Sequence, residues 1–168
     1  MLGDHGIYLK GPHFYEAVVH VPVILRWPGK IRAGKRADTF IELVDLSPTL
    51  LDAAGLEIPD RIQGRSFYPV CTGEAGSSTH RDSVYSEYYN AWTHKRSYGT
   101  MLRTEKEKIV IYHGDEVGEL YDLEEDPGEF TNLWDDPAHK ERKLELLKQA
   151  FDQSVLTMDP TPPRLGAF

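Results

Sequence analysis

Apolar and polar positions follow different periods along this chain, and the changes of period divide it into segments. From Ala17 to Trp27 the sequence is rich in β-branched residues without clear alternation, the pattern of a strand covered on both faces in a mainly parallel sheet. Pro22 then belongs at an edge or an irregularity of that strand, where a ladder donor is dispensable. Pro28-Gly29 ends it, and the polar stretch Lys30 to Asp38 reads as a turn or short hairpin. Asp45 as N-cap, an apolar face of Leu46, Leu50, Ala53 and Ala54, and Gly55 at the left-handed C-terminal position predict a short helix. Pro48 is tolerated there because it falls in the first turn. Glycine, proline and serine punctuate Leu56 to Asp82, which reads as a connecting loop with little regular structure.

Strand-like runs follow at Ser83 to Tyr89, Tyr98 to Arg103 and Lys108 to His113, the last two separated by the polar turn Thr104 to Glu107. A further short strand at Glu119 to Leu123 completes a small antiparallel sheet. Asp136 as N-cap and Pro137 at the first helical position open a helix. In it Leu144, Leu147, Phe151 and Val155 recur at three- and four-residue steps, a face suited to covering the sheet. The tail from Thr157 to Phe168, with Pro160, Pro162 and Pro163, reads as extended.

These segments predict an α/β part over 1–75, an α+β subdomain of antiparallel sheet plus helix over 76–156, and a tail over 157–168. Composition changes little in this picture: 40% hydrophobic and 27% charged residues are ordinary for a soluble globular chain. No apolar run reaches the roughly 18 to 20 residues that span a bilayer. A formal net charge of -8 argues against nucleic acid as a partner. The single cysteine, Cys71, excludes an internal disulfide framework and assigns no compartment.

The motifs add more. Met1-Leu2-Gly3-Asp4-His5-Gly6, Lys10-Gly11, Val21-Pro22-Val23-Ile24-Leu25 and Trp27-Pro28-Gly29-Lys30 occur in that order. Asp45 to Gly55 follows, then Leu120-Tyr121-Asp122-Leu123, Glu125-Asp126-Pro127-Gly128-Glu129 and Thr131-Asn132-Leu133. This series resembles the sulfatases, formylglycine-dependent hydrolases of the alkaline-phosphatase-like superfamily. The resemblance implies the tail end of an alkaline-phosphatase-like α/β domain followed by the small sheet and C-terminal helix. It also implies that the chain begins inside a catalytic domain. The nucleophile and a divalent metal, typically calcium, would then belong to a missing N-terminal part, with no metal expected on this chain itself.

Lys10, beside Gly11, is by itself either a solvated surface lysine or an ammonium reaching an anionic oxygen. The resemblance makes it the lysine that contacts the substrate sulfate, where it would neutralise charge building on the sulfuryl oxygens. Asp4-His5 looks like a metal-binding pair, but its spacing to Lys10 matches the family's second Asp-His-Gly segment, which does not coordinate the metal. His13 and Glu16 follow Lys10 closely enough to line one cleft, His13 serving either as a donor to a leaving group or sugar hydroxyl or as a structural hydrogen-bonding group. Cys71 lacks the proline and arginine of the family's Cys-x-Pro-x-Arg nucleophile segment and reads as a loop thiol. Trp92 and His94, in the ring-rich stretch Tyr88 to Arg96, are either a substrate-binding rim or sheet packing with a solvated turn. The acidic run Glu124 to Glu129 reads as a solvated turn locked by Pro-Gly.

The leading expectation is therefore the C-terminal part of a sulfatase acting on a sulfated small molecule or sugar, inactive alone. Phosphate or phosphonate ester hydrolysis is the first alternative, since both anions are tetrahedral. A non-catalytic carbohydrate-binding module is the second. An orphaned strand at Ala17 to Trp27 would expose apolar edge and face, which predicts self-association.

Overall fold

The computed structural model describes residues 2–9, 11–74, 80–89 and 97–158, which fall into two compact units. The first joins Met1–Leu25 to Asp82–Phe151, and the second joins Arg26–Arg81 to the residues from Asp152 onward.

Four strands dominate the first unit: β1 (Ser83–Tyr89), β2 (Tyr98–Thr104), β3 (Glu107–Tyr112) and β4 (Gly118–Asp122). They pair antiparallel in chain order, close to the spans their composition predicts. The register matches Met101 with Val110 and Leu102 with Ile109 across β2 and β3, and Lys108 with Tyr121 and Ile109 with Leu120 across β3 and β4. Because side chains alternate along a strand, this register sorts them onto two faces. Leu102, Ile109 and Leu120 share one face, while Met101, Lys108, Val110 and Tyr121 share the other.

The first face packs against the C-terminal helix. Asp136 accepts a hydrogen bond from the Ala138 amide at 2.9 Å, a short 3-10 turn spans Pro137–His139, and α-helix continues over Lys140–Leu156. The expected cap therefore forms. The buried stripe differs from the expected one. Leu146 and Ala150 are buried against Leu102, Ile109 and Leu120, with Leu147 beside them, whereas Leu144, Phe151 and Val155 are exposed. Two contacts account for the rotation. Arg142 donates from Nε to Glu107 at 2.8 Å, and the Lys143 ammonium lies 4.5 Å from the centre of the Trp134 ring. Ala150, with no side chain beyond Cβ, then lets the helix axis come close to the sheet.

The second face is covered by the segment that precedes Leu25. Phe14 packs with Met101 and Val110, joined by the half-buried Val19, Tyr88 and Tyr112. Gly99 makes this possible, since a Cβ there would lie 2.7 Å from the Phe14 ring. The strand expected over Ala17 to Trp27 does not form. Glu16–Val19 is a short helix, and residues 20–27 have no ladder partner among the described residues. A strand is held by hydrogen bonds to its neighbours, so β-branched composition without a neighbour does not make one.

In the second unit the expected short helix forms at Leu46–Ala53, with Gly55 in the left-handed conformation after it. A further short helix occupies Tyr68–Thr72 within the stretch read as irregular. Asp45 does not cap its own helix as expected. Its fully buried carboxylate accepts instead from the Glu42 amide at 3.0 Å, the Arg65 amide at 2.7 Å, His80 Nε2 at 3.1 Å and the Arg81 guanidinium. One acid thus ties together three separated stretches of the unit. Among the described residues no helix is long and apolar enough to cross a membrane.

Candidate functional site

The segment from Asp4 to Glu16 is built as an aromatic ladder on the second face of the sheet. Asp4–Gly6 forms a single 3-10 turn in which His5 adopts a left-handed φ of 53°. This turn lays the His5 ring on Tyr15, with centroids 3.7 Å apart and planes 9° from parallel. His13 stacks on Tyr15 as well, at 5.7 Å, and Tyr15 sits 6.4 Å from Tyr121 of β4. Burial, then the charge of Glu119, pushes the Tyr15 hydroxyl up, so it stays protonated through the neutral range.

Beneath the ladder lies an ion cluster with no exposure at its centre. Lys108, fully buried on β3, donates from Nζ to the Phe14 carbonyl at 2.9 Å and to Glu129 Oε1 at 2.6 Å. It also meets Glu16 Oε1 at 2.6 Å. An ammonium has three protons, and three oxygens receive them here. Glu129 uses its second oxygen to accept from the Glu16 amide at 2.7 Å. Arg103 Nε approaches Glu16 Oε1 at 3.6 Å, so two cations face two carboxylates and the buried charge balances. Burial alone would raise the Glu16 carboxyl, but Lys108, followed by Arg103 and His20, brings it below the ordinary carboxylate value.

An open cleft of about 220 Å³ adjoins this cluster, lined among others by Asp4, His5, Glu16, Glu129 and Phe130. Of the residues expected in one cleft, Glu16 lines it and His13 does not. His13 instead holds its Nδ1 buried without a hydrogen-bond partner among the described residues. Lys10, Trp92 and His94 lie outside the described residues. Cys71 is not a loop thiol: it sits in the short helix Tyr68–Thr72, where burial pushes its thiol up and away from nucleophilic use.

The acidic turn needs a larger correction. Glu129, expected in a solvated turn, is buried and ion-paired. One signal of this was present in the sequence: Lys108 occupies an inward position, two residues before Val110 on the same strand face. A lysine there needs an acid, and no nearby residue of the strand supplies one.

Asp4 and His5 have local engagements. Asp4 accepts from the Leu2 amide at 3.2 Å, a contact that lowers its carboxyl, and His5 is committed to Tyr15. Among the described residues no group of three or more His, Cys, Asp or Glu side chains could hold a metal ion.

Known proteins resemble this chain over most of its length. The family model described as N-sulphoglucosamine sulphohydrolase, C-terminal, matches residues 3–155. The N-acetylglucosamine-6-O-sulfatase of Bacteroides thetaiotaomicron is 34% identical over 152 residues, covering 88% of this chain and 27% of that protein. A solved structure of a protein in complex with its substrate D-glucosamine-2-N,6-O-disulfate superposes with a TM-score of 0.84 at 30% identity, covering 99% of this chain and 34% of that one. The phosphonate monoester hydrolase of Silicibacter pomeroyi superposes with a TM-score of 0.79 at 31% identity, covering 89% of this chain and 32% of that one. The chain thus spans about a third or less of the length of these relatives. With the match running through both the aromatic ladder and the Lys108 cluster, the chain belongs to the N-sulphoglucosamine sulphohydrolase C-terminal family, within the sulfatases of the alkaline-phosphatase-like superfamily.

Proposed function

We propose that this chain forms the C-terminal part of a sulfatase that hydrolyses a sulfate ester on a sulfated sugar. The observation that carries this reading is the likeness, over 99% of the chain, to a protein whose substrate is a disulfated glucosamine. Lys10 is the residue assigned to the sulfate, and His13, Trp92 and His94 are assigned to the rest of the substrate. An ammonium at Lys10 would stabilise negative charge on the sulfuryl oxygens as the ester bond breaks.

The family implies a divalent metal, calcium on this reading, and a formylglycine nucleophile. The described residues do not fit the metal, since Glu16 and Glu129 are committed to Lys108 and Asp4 to a backbone amide. Both groups are assigned to residues of the parent protein outside this chain.

The phosphonate monoester hydrolase likeness favours a second reading, hydrolysis of a phosphorus ester at the same site. The two separate in one assay. The chain, alone and joined to the residues encoded immediately upstream of Met1, is incubated with glucosamine 6-O-sulfate and with a phosphonate monoester while free sulfate and free alcohol are measured. The sulfatase reading expects sulfate release by the joined protein only, falling roughly 100- to 1,000-fold in Lys10→Ala. Faster turnover of the phosphonate ester favours the second reading, and no turnover of either substrate overturns both.

A further inference from the structure

We propose that Glu129, held by Lys108, is a positioning residue whose carboxylate anchors residues 11–16, the segment that follows Lys10 in sequence, and that turnover depends on this anchor. This inference rests on the sulfatase reading for the role of Lys10, but the anchor itself stands on geometry.

Glu129 and Lys108 grip the segment at two points of its backbone, the Glu16 amide and the Phe14 carbonyl. Between them stands Tyr15, the residue on which His5 and His13 both stack. The clamp therefore fixes the rung that carries the ladder on either side of Lys10 in sequence. Its parts come from distant stretches: Lys108 is 94 residues from Phe14, and Glu129 is 113 residues from Glu16.

Backbone conformation at Glu129 points the same way. Its φ is 58°, a left-handed value that favours glycine or asparagine. A turn selected only for its shape has no use for glutamate there. The residue suits this position through its carboxylate, which reaches Lys108 and the Glu16 amide together. Neither Glu129 nor Lys108 is assigned a contact with substrate, so each acts through the segment that it holds.

Two variants separate the clamp from the turn. Glu129→Gly suits the backbone and removes both contacts. Glu129→Gln keeps an oxygen for the Glu16 amide and loses the charge facing Lys108. Amide hydrogen exchange on the 168-residue chain reads the anchor. Glu129→Gly is expected to speed exchange over residues 11–19 at least tenfold, with Glu129→Gln in between and the β2–β3 ladder unchanged. Unchanged exchange over residues 11–19 in Glu129→Gly would sink the proposal. So would an equal rise in every protected amide, which marks general destabilisation.

Steady-state kinetics on the chain joined to its upstream residues reads whether turnover depends on the anchor. Glu129→Gly is expected to lower kcat at least tenfold with a smaller change in KM, and Glu129→Gln to recover part of the loss. Loosened residues 11–19 with unchanged kcat would overturn the positioning role. Absence of sulfate release by the unsubstituted joined protein removes the functional reading and the catalytic half of this proposal together, while the exchange experiment still decides the anchor.

Discussion

Single buried charges do more to organise this chain than any apolar residue does. Asp45 gathers two backbone amides, a histidine and an arginine. Burial alone would raise its carboxyl, but the Arg81 hydrogen bond and those from the backbone and His80 hold it down at about 2, against an ordinary 3.8. A carboxyl depressed in the folded state contributes stability that is fully present above its unfolded value and lost as pH falls through its folded one. Asp45 should therefore contribute roughly 2 kcal/mol near neutrality that disappears between about pH 4 and pH 2. Urea unfolding at stepped pH checks this. Asp45→Asn should be less stable than wild type at pH 7 by roughly 2 kcal/mol, because Arg81 loses one of its two carboxylate partners and keeps Glu42 at 3.2 Å. The gap should narrow as pH approaches 2, and a gap independent of pH would contradict the assignment. Sequence reading placed Asp45 at a helix start correctly but gave it the wrong task. Beside the nearby Glu42 amide, the residues that claim its oxygens are Arg65, His80 and Arg81, 20 to 36 positions away and beyond the reach of any local pattern.

At the level of elements, legibility followed the source of the order. The four strands were readable because each is a short run, with β1 to β3 rich in β-branched and aromatic residues, and a polar turn closes β2 against β3, so local chemistry specifies them. Residues 17–27 carry a strong strand composition with no partner strand among the described residues, and a pattern describes only what a segment can pair with. The C-terminal helix presents a subtler case, because its sequence holds two apolar stripes. Leu144, Phe151 and Val155 form one, while Leu146, Leu147 and Ala150 form the other. Periodicity cannot rank them; the Arg142–Glu107 ion pair does, because it turns the second stripe to the sheet. Truncation tests the choice. Leu146→Ala should cost about 2–5 kcal/mol by opening a cavity against Ile109 and Leu120. Phe151→Ala, at a position 69% exposed, should stay within about 0.5 kcal/mol. Thermal or urea unfolding of both variants decides it, and equal losses would mean that the helix is rotated from the described position.

For the whole molecule, the Lys108 clamp ties the small sheet to the segment that carries Phe14 and Glu16. The sheet supplies a rigid floor, and β3 carries the buried Lys108 ammonium that holds the segment's backbone. A rigid floor leaves other surface unserved. Ile24 is 90% exposed, and Val21, Val23, Leu25 and Trp27 are exposed around it in sequence, on backbone that joins no ladder among the described residues. Contiguous exposed apolar residues on unpaired extended backbone favour pairing with another chain. The isolated 168-residue chain should therefore self-associate, its sedimentation coefficient rising with concentration, and Ile24→Asp should suppress the rise. Joining the residues encoded upstream of Met1 should suppress it too if they supply the missing ladder partner, and this pair of results separates the two causes of exposure. A charge at position 24 removes apolar attraction alone, whereas an added neighbouring strand removes both the attraction and the unpaired edge. A monomer at every concentration would show that residues 20–27 satisfy their backbone with water, and that extended apolar sequence alone is too weak a signal for association.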